Sequence, residues 1–165
     1  MDRKVLTQCF SLMDLTTLHS NDTEQSVTAL VRKANNLRTQ YPAYPLPASI
    51  CVFPNFAKTV KSNRGSADLH VTVVSACFPS SQSFLEVKLR EVELAVGEGA
   101  DEVDIVLNLG LFCAGDYDGA KAEIEAVRKV CSNGVVLKVI LETGLLKTPE
   151  AIRKASMLAM EAGAD

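Results

Sequence analysis

From one end to the other, the chain alternates two patterns. Short runs of β-branched and aliphatic residues mark strands buried on both faces, and longer stretches with apolar residues every three or four positions mark helices. Strands are predicted near 12–15, 49–53, 70–78, 102–108 and 135–142. Val27, Leu30, Val31 and Ala34 give a helix over about Thr23–Asn36, with Asp22 placed to cap it. The prolines at 42, 45 and 47 bar helix and central strand from the next loop, and Pro54 opens a brief helix through Lys61. "SFLE" at Ser83–Glu86 has the spacing of a capping box, and Leu85, Leu89, Val92 and Val96 form the apolar stripe of the helix it opens. A second stripe, Ala120, Ile124, Val127 and Cys131, lies in a helix near Tyr117–Cys131. The last helix starts with Thr148, Pro149 and Glu150 and stops at Gly163.

The last three strands start about 32 residues apart. Strands that are apolar on both faces and joined by helices imply a parallel sheet covered by helices. An open doubly wound sheet would carry a glycine-rich phosphate loop after its first strand, and neither GxGxxG nor GxxxxGK[ST] occurs. A complete (β/α)8 barrel needs about 250 residues, and this chain has 165. The reading is therefore α/β: an incomplete (β/α)8 TIM barrel of about five β-α units with parallel strands. Residues 1–165 form one domain on this reading, the N-terminal two-thirds of a barrel. "GEGAD" at Gly97–Asp101 runs directly into the fourth strand, and a near copy, "EAGAD" at Glu161–Asp165, stands where a sixth would start.

Composition then removes classes of function. Hydrophobic residues are 47% and charged residues 22%, ordinary for a folded chain. Net charge is −3, with no basic block, which argues against nucleic acid and membrane-surface binding. A small phosphorylated substrate stays open, because a pocket can be locally positive on an acidic protein. The five cysteines show no CxxC or Cys/His metal spacing, and read as reduced thiols of a cytoplasmic protein without metal or other cofactor. No apolar run approaches the ~20 residues of a membrane span, and the polar N-terminus does not make a signal peptide.

Two strands carry charge in mid-run, where an unpaired buried charge is costly. In "EVDIVLNL", Glu102 and Asp104 share a face; in "VVLKVILE", Lys138 breaks an apolar run on the neighbouring strand. Facing inward, Asp104 and Lys138 would come within ion-pair reach. They are either a structural salt bridge at a solvated strand end or an acid/base pair in a barrel mouth. Glu102, at the N-terminal end of its strand, belongs to the stability face. Asp14 is a turn or capping residue or a polar group at the mouth, and Asn108 lines the mouth or caps its loop. Cys51, flanked by apolar residues, reads as a packed thiol. His19 and His70 show no partner pattern and read as non-catalytic.

Several segments taken together point to one family: "MDLTTL", "ICVFP", Phe78–Pro79, "GADEVDIV", "LKVILETG" and "IRKASMLAMEAGAD". In this order and spacing the chain resembles deoxyribose-phosphate aldolase, a class I aldolase on a (β/α)8 barrel, over nearly all of residues 11–165. The resemblance implies reversible, metal-free cleavage of 2-deoxy-D-ribose 5-phosphate to glyceraldehyde 3-phosphate and acetaldehyde, in deoxyribonucleotide catabolism, through a lysine Schiff base. It makes Asp104 and Lys138 the catalytic residues of strands four and five, and Asp14, Thr16 and Cys51 lining residues of the same pocket. The Schiff-base lysine of the family lies on strand six, in a segment like "FIKTSTGK" after "GAD". Its second relay lysine lies on strand seven, and its phosphate loops follow strands seven and eight. None of these segments occurs among the 165 residues, so Lys138 is not the Schiff-base position. The chain is expected to be a truncated and, alone, inactive aldolase. The alternative is a non-enzymatic partial barrel, completed by a partner chain or associating with itself through its open edges.

Overall fold

A computed structural model describes residues 2–131 and 134–165. Five parallel strands form one sheet in sequence order: β1 (Asp14–Thr16), β2 (Ser49–Val52), β3 (His70–Val74), β4 (Glu102–Val106) and β5 (Val136–Ile140). Each connection crosses over through helix: α2 (Glu24–Gln40), α3 (Ala57–Asn63) after a 3-10 turn at Pro54–Phe56, α4 (Leu85–Gly97), and α5 (Leu109–Cys113) with α6 (Tyr117–Val130). Helix α1 (Arg3–Ser11) precedes β1, and α7 (Thr143–Leu146) and α8 (Pro149–Glu161) follow β5. This is five consecutive units of a (β/α)8 barrel, with β1 and β5 as the outer strands.

Alternation along the strands separates two environments. Ile50, Val52, Val71, Val73, Val103, Ile105 and Leu137 are buried in the core between sheet and helices. The other set, Ser49, Cys51, Thr72, Glu102, Asp104 and Lys138, lies on the concave face. In-register pairs such as Cys51 with Thr72, Thr72 with Glu102, and Asp104 with Lys138 align this polar set across the strands. The sheet is curled enough for side chains of its two outer strands to touch, since Lys138 reaches Asp14.

The strand cores fall where expected, and their ends do not. The third run stops at Val74, not 78, because Ala76 and Cys77 adopt left-handed backbone with φ of 56° and 62°. The fourth stops at Val106, because Asn108 accepts a hydrogen bond from Leu111 N–H (3.2 Å) and caps α5. The fifth ends at Ile140, two residues before Glu142 turns left-handed (φ 54°). The first is shifted to 14–16, and α1 was not foreseen, although Val5, Leu6, Cys9 and Phe10 recur at helical spacing in it; none of its residues is buried.

Two helix starts also differ from expectation. Asp22 does not cap α2; Thr23 does, in a capping box with Ser26, while Asp22 accepts from the Thr17 hydroxyl and the His19 N–H. That helix runs on to Gln40. The box at Ser83–Glu86 does not form, since the cap residue of α4 is Phe84, with no side-chain bond. The fully buried face of α4 is Lys88, Val92 and Ala95; of the expected stripe Val92 is buried, Leu89 and Val96 pack against the core at its edge, and Leu85 is exposed. Lys88 is fully buried and its ammonium lies 2.6 Å from Glu123, so an ion pair to α6 sets the rotation of the helix.

Helix α6 buries Ala120, Ile124 and Val127 as expected, followed by Cys131, and α8 begins with Thr148 accepting from Ala151 N–H at 3.2 Å. The caps predict a contrast. Thr148→Ala should cost about 1 kcal/mol, a fall in Tm of roughly 2–4 °C. Ser83→Ala should stay within about 0.5 kcal/mol of the parent chain. Equal losses in thermal melts would show that Ser83 caps α4 after all.

Candidate active site

Lys138, at the centre of β5, projects over the concave face into three carboxylates. Its Nζ lies 2.6 Å from Asp14 Oδ2, 3.0 Å from Glu102 Oε2 and 3.1 Å from Asp104 Oδ1. Hydroxyls and an imidazole tie the carboxylates together. Ser49 donates to Asp14 at 2.7 Å, Thr72 Oγ1 lies 2.7 Å from Ser49 Oγ and 3.1 Å from Glu102 Oε2, and His70 Nδ1 lies 2.6 Å from Glu102 Oε1. Ser49 and Thr72 are completely buried.

Within this network Asp104 stands apart. Its Oδ1 is buried and receives no aligned hydrogen bond, although it is 3.1 Å from the ammonium. Charge attraction is the larger part of the contact, ahead of its weak, poorly aligned hydrogen bond. Burial pushes the Asp104 carboxyl up; the Lys138 charge opposes this, but the neighbouring Asp14 and Glu102 charges add to it. Burial alone would push Lys138 down, and it is overcome by the hydrogen bond to Asp14, the Asp104 charge and the bond to Glu102. The ammonium is held above the ordinary lysine range. A buried carboxylate with a raised pKa beside a fixed cation is the kind of group that can take up and return a proton.

Cys51 sits in register between Thr16 and Thr72, 4% exposed. Burial, with the Asp104 and Asp14 charges, pushes its thiol up to about 12. It is a packed thiol that lines the face, not a nucleophile. Thr16 is at the exposed end of β1, and its hydroxyl donates to the Asp14 carbonyl oxygen (3.1 Å).

All five residues singled out from the sequence thus lie on the concave face, and Asp104, Lys138 and Asp14 touch one another or share a partner. Glu102 is at the N-terminal end of β4 as expected, yet its carboxylate joins the Lys138 cluster. His70 does have a partner, in Glu102. Ser49 and Thr72 were missed. The signal that could have found them is the same two-residue alternation that paired Glu102 with Asp104. Among the described residues no group of three or more His, Cys, Asp or Glu is placed to hold a metal ion, and no helix is long and apolar enough to cross a membrane.

The geometry predicts that Asp104→Asn stabilises the chain at pH 7. The raised Asp104 carboxyl loses stability for the folded state as pH climbs from the usual aspartate range through its folded value. Asn removes that burden, while Lys138 keeps Asp14 and Glu102. Melting should rise by roughly 2–4 °C, the shift about 1 kcal/mol produces in a chain of this size. The gain should vanish near pH 3. A lower Tm at pH 7 would mean that the ion pair outweighs the burial of the acid.

Residues 9–165 match the family model of the DeoC/LacD family aldolases, and the chain belongs to that family. Solved structures agree. A protein from Coccidioides immitis assigned as a deoxyribose-phosphate aldolase superposes with a TM-score of 0.81 at 26% identity, over 96% of this chain and 58% of its own. QR15, an aldolase, gives a TM-score of 0.82 at 31% identity, over 94% and 65%. The deoxyribose phosphate aldolase of Aeropyrum pernix, a tetramer, gives 0.76 at 29% identity, over 96% and 62%. The chain spans 58–65% of the length of these three proteins.

Proposed function

We propose that this chain carries the acid–base part of a class I aldolase site that cleaves 2-deoxy-D-ribose 5-phosphate to glyceraldehyde 3-phosphate and acetaldehyde. The observation that carries the reading is the buried, under-bonded Asp104 beside the Lys138 ammonium in a DeoC/LacD family chain. In the reaction, a lysine amine condenses with the sugar aldehyde and releases water. The C2–C3 bond then breaks as the C3 hydroxyl gives up its proton; the bond electrons move into the iminium to give an enamine, and C3 becomes the aldehyde of glyceraldehyde 3-phosphate. Protonation of the enamine at C2 and hydrolysis release acetaldehyde and the lysine. Asp104 takes part in the proton transfers, Lys138 supplies a fixed positive charge, and Asp14, Thr16 and Cys51 line the pocket. The imine lysine and the phosphate loops belong to barrel segments outside these 165 residues. On this reading residues 1–165 are one domain, the N-terminal two-thirds of the barrel, and the chain alone is inactive. The free state of all five cysteines supports a cytoplasmic setting.

A hybrid barrel tests the reading. Residues 9–165 replace the matching part of the Aeropyrum pernix enzyme, and aldehyde release is measured. Activity that falls on Asp104→Asn is the expected result. A folded hybrid that is inactive, or indifferent to Asp104, would sink the proposal.

A second reading rests on the two outer strands. Among the described residues, β1 and β5 each have a neighbouring strand on one side only; Asp165 meets the other side of β5 at Leu137 alone, and such edges favour association with a partner chain or a second copy. Light scattering distinguishes this from a monomer.

A further inference from the structure

The near copies "GEGAD" and "EAGAD" build the same device twice. In the first, Gly99 takes φ 99° and Ala100 N–H bonds to Ala95 O. Asp101 then grips β3 by both its main chain and its side chain. Its N–H donates to Val71 O (2.8 Å), and its Oδ2 accepts from Val71 N–H (2.9 Å). The Arg64 guanidinium pairs with the same carboxylate and donates to Leu69 O (2.9 Å). In the second copy Gly163 takes φ 93° and Ala164 N–H bonds to Ala159 O. Asp165 bonds Leu137 N–H and O at 2.9 Å each. Arg128 pairs with Asp165 (2.6 Å) and donates to Val135 O. Arg128 follows Arg64, and Asp165 follows Asp101, by the same 64 residues.

The first copy has one further link. The Asp101 carbonyl accepts from Val136 N–H (3.0 Å), the first residue of β5. Asp101 thus touches β3, leads into β4 and fixes the start of β5. Asp104 is three residues beyond Asp101 and Lys138 two beyond Val136, and the two are direct register partners. A one-residue slip of either strand would turn one of them into the apolar core. We infer that Asp101, held by Arg64, is a positioning residue that sets the register bringing Asp104 and Lys138 together. Its recurrence at Asp165 makes the arrangement a repeated register clamp rather than an isolated surface ion pair.

The test is run on the 165-residue chain without substrate, so its outcome is separate from that of the aldolase reading. Amide exchange and reductive methylation of Lys138 are compared for Asp101→Ala, Asp101→Asn and the control Thr148→Ala. In Asp101→Ala the Val71 and Val136 amides should exchange roughly fivefold faster than in the parent, the worth of about one hydrogen bond, while Ile50 stays protected. Lys138, no longer held by its carboxylates, should methylate roughly three- to tenfold faster. Asp101→Asn keeps an oxygen for the Val71 N–H and should return both readouts to within about twofold of the parent. Uniform exchange across the sheet, or Lys138 labelling no faster than in Thr148→Ala, would overturn the inference. Should Asp101→Ala fail to fold, Arg64→Met carries the same comparison: faster Val71 exchange and Lys138 labelling support the clamp, and unchanged values refute it.

Discussion

Incubated with 2-deoxy-D-ribose 5-phosphate and borohydride, the 165-residue chain is expected to remain unmodified at Lys138 and to release no aldehyde. Imine formation needs a free amine with its lone pair available. At neutral pH an ordinary lysine is less than about one part in a thousand free amine. Lys138 is worse placed still, because Asp14, Asp104 and Glu102 hold its ammonium above the ordinary range against the opposing effect of burial. A Schiff-base lysine requires the reverse environment, dry and without carboxylates, so that the proton leaves. Losing a nucleophile of this kind typically removes several orders of magnitude in rate. Mass spectrometry of the reduced protein reads the result. A substrate adduct at Lys138, with turnover, would show that the cluster releases its proton on binding and would reassign the residue.

The second large effect is on stability. Lys138→Met removes the cation shared by three carboxylates. Removing one partner from a fully buried pair costs about 3–5 kcal/mol. The Lys138 side chain is 32% exposed, so solvent screening brings the expected loss to about 2–3 kcal/mol. Tm should fall by roughly 4–12 °C at pH 7. The loss should depend on pH in one direction. Without the ammonium, the clustered acids favour their protonated forms in the folded state, so stability returns as pH falls toward the usual carboxylate range. In the parent chain Lys138 contributes fully at neutral pH, and that contribution fades only as pH rises beyond the ordinary lysine value of about 10.4. Melts at pH 7 and pH 4 compare the two proteins. A constant difference would mean that Lys138 acts through its aliphatic stem rather than its charge.

Much of this architecture could be read directly from residue pattern. Fully buried parallel strands announce themselves as β-branched runs, and "HVTVV" and "EVDIV" are strands in the structure. Pro149 after Thr148 marked the start of α8 without tertiary information. The mid-strand charges of Asp104 and Lys138 marked the concave face, because their cost requires a partner. What stayed hidden depends on distant contacts. Lys88 is buried on α4 because it reaches Glu123 on another helix, 35 residues away, so the apolar stripe found Val92, Leu89 and Val96 but could not reveal the lysine beside them. The strand ends at Val74 and Ile140 are set by left-handed residues, Ala76, Cys77 and Glu142, that carry no glycine signature. The Asp14–Lys138 contact spans 124 residues and follows from the curl of the sheet, which periodicity does not encode. Ser49 and Thr72 are small hydroxyl residues whose importance appears only once the register makes them neighbours.

Three carboxylates around a single ammonium leave those four groups with a formal charge of −2. A net negative surface of this kind would favour one orientation of an approaching anion-bearing ligand. A ligand with a charged phosphate at one end and a neutral carbonyl at the other would be repelled phosphate-first and admitted carbonyl-first. At a few ångströms, with a local dielectric well below that of water, the preference is several kcal/mol. The cluster would thereby turn the anionic end of such a ligand away from the concave face.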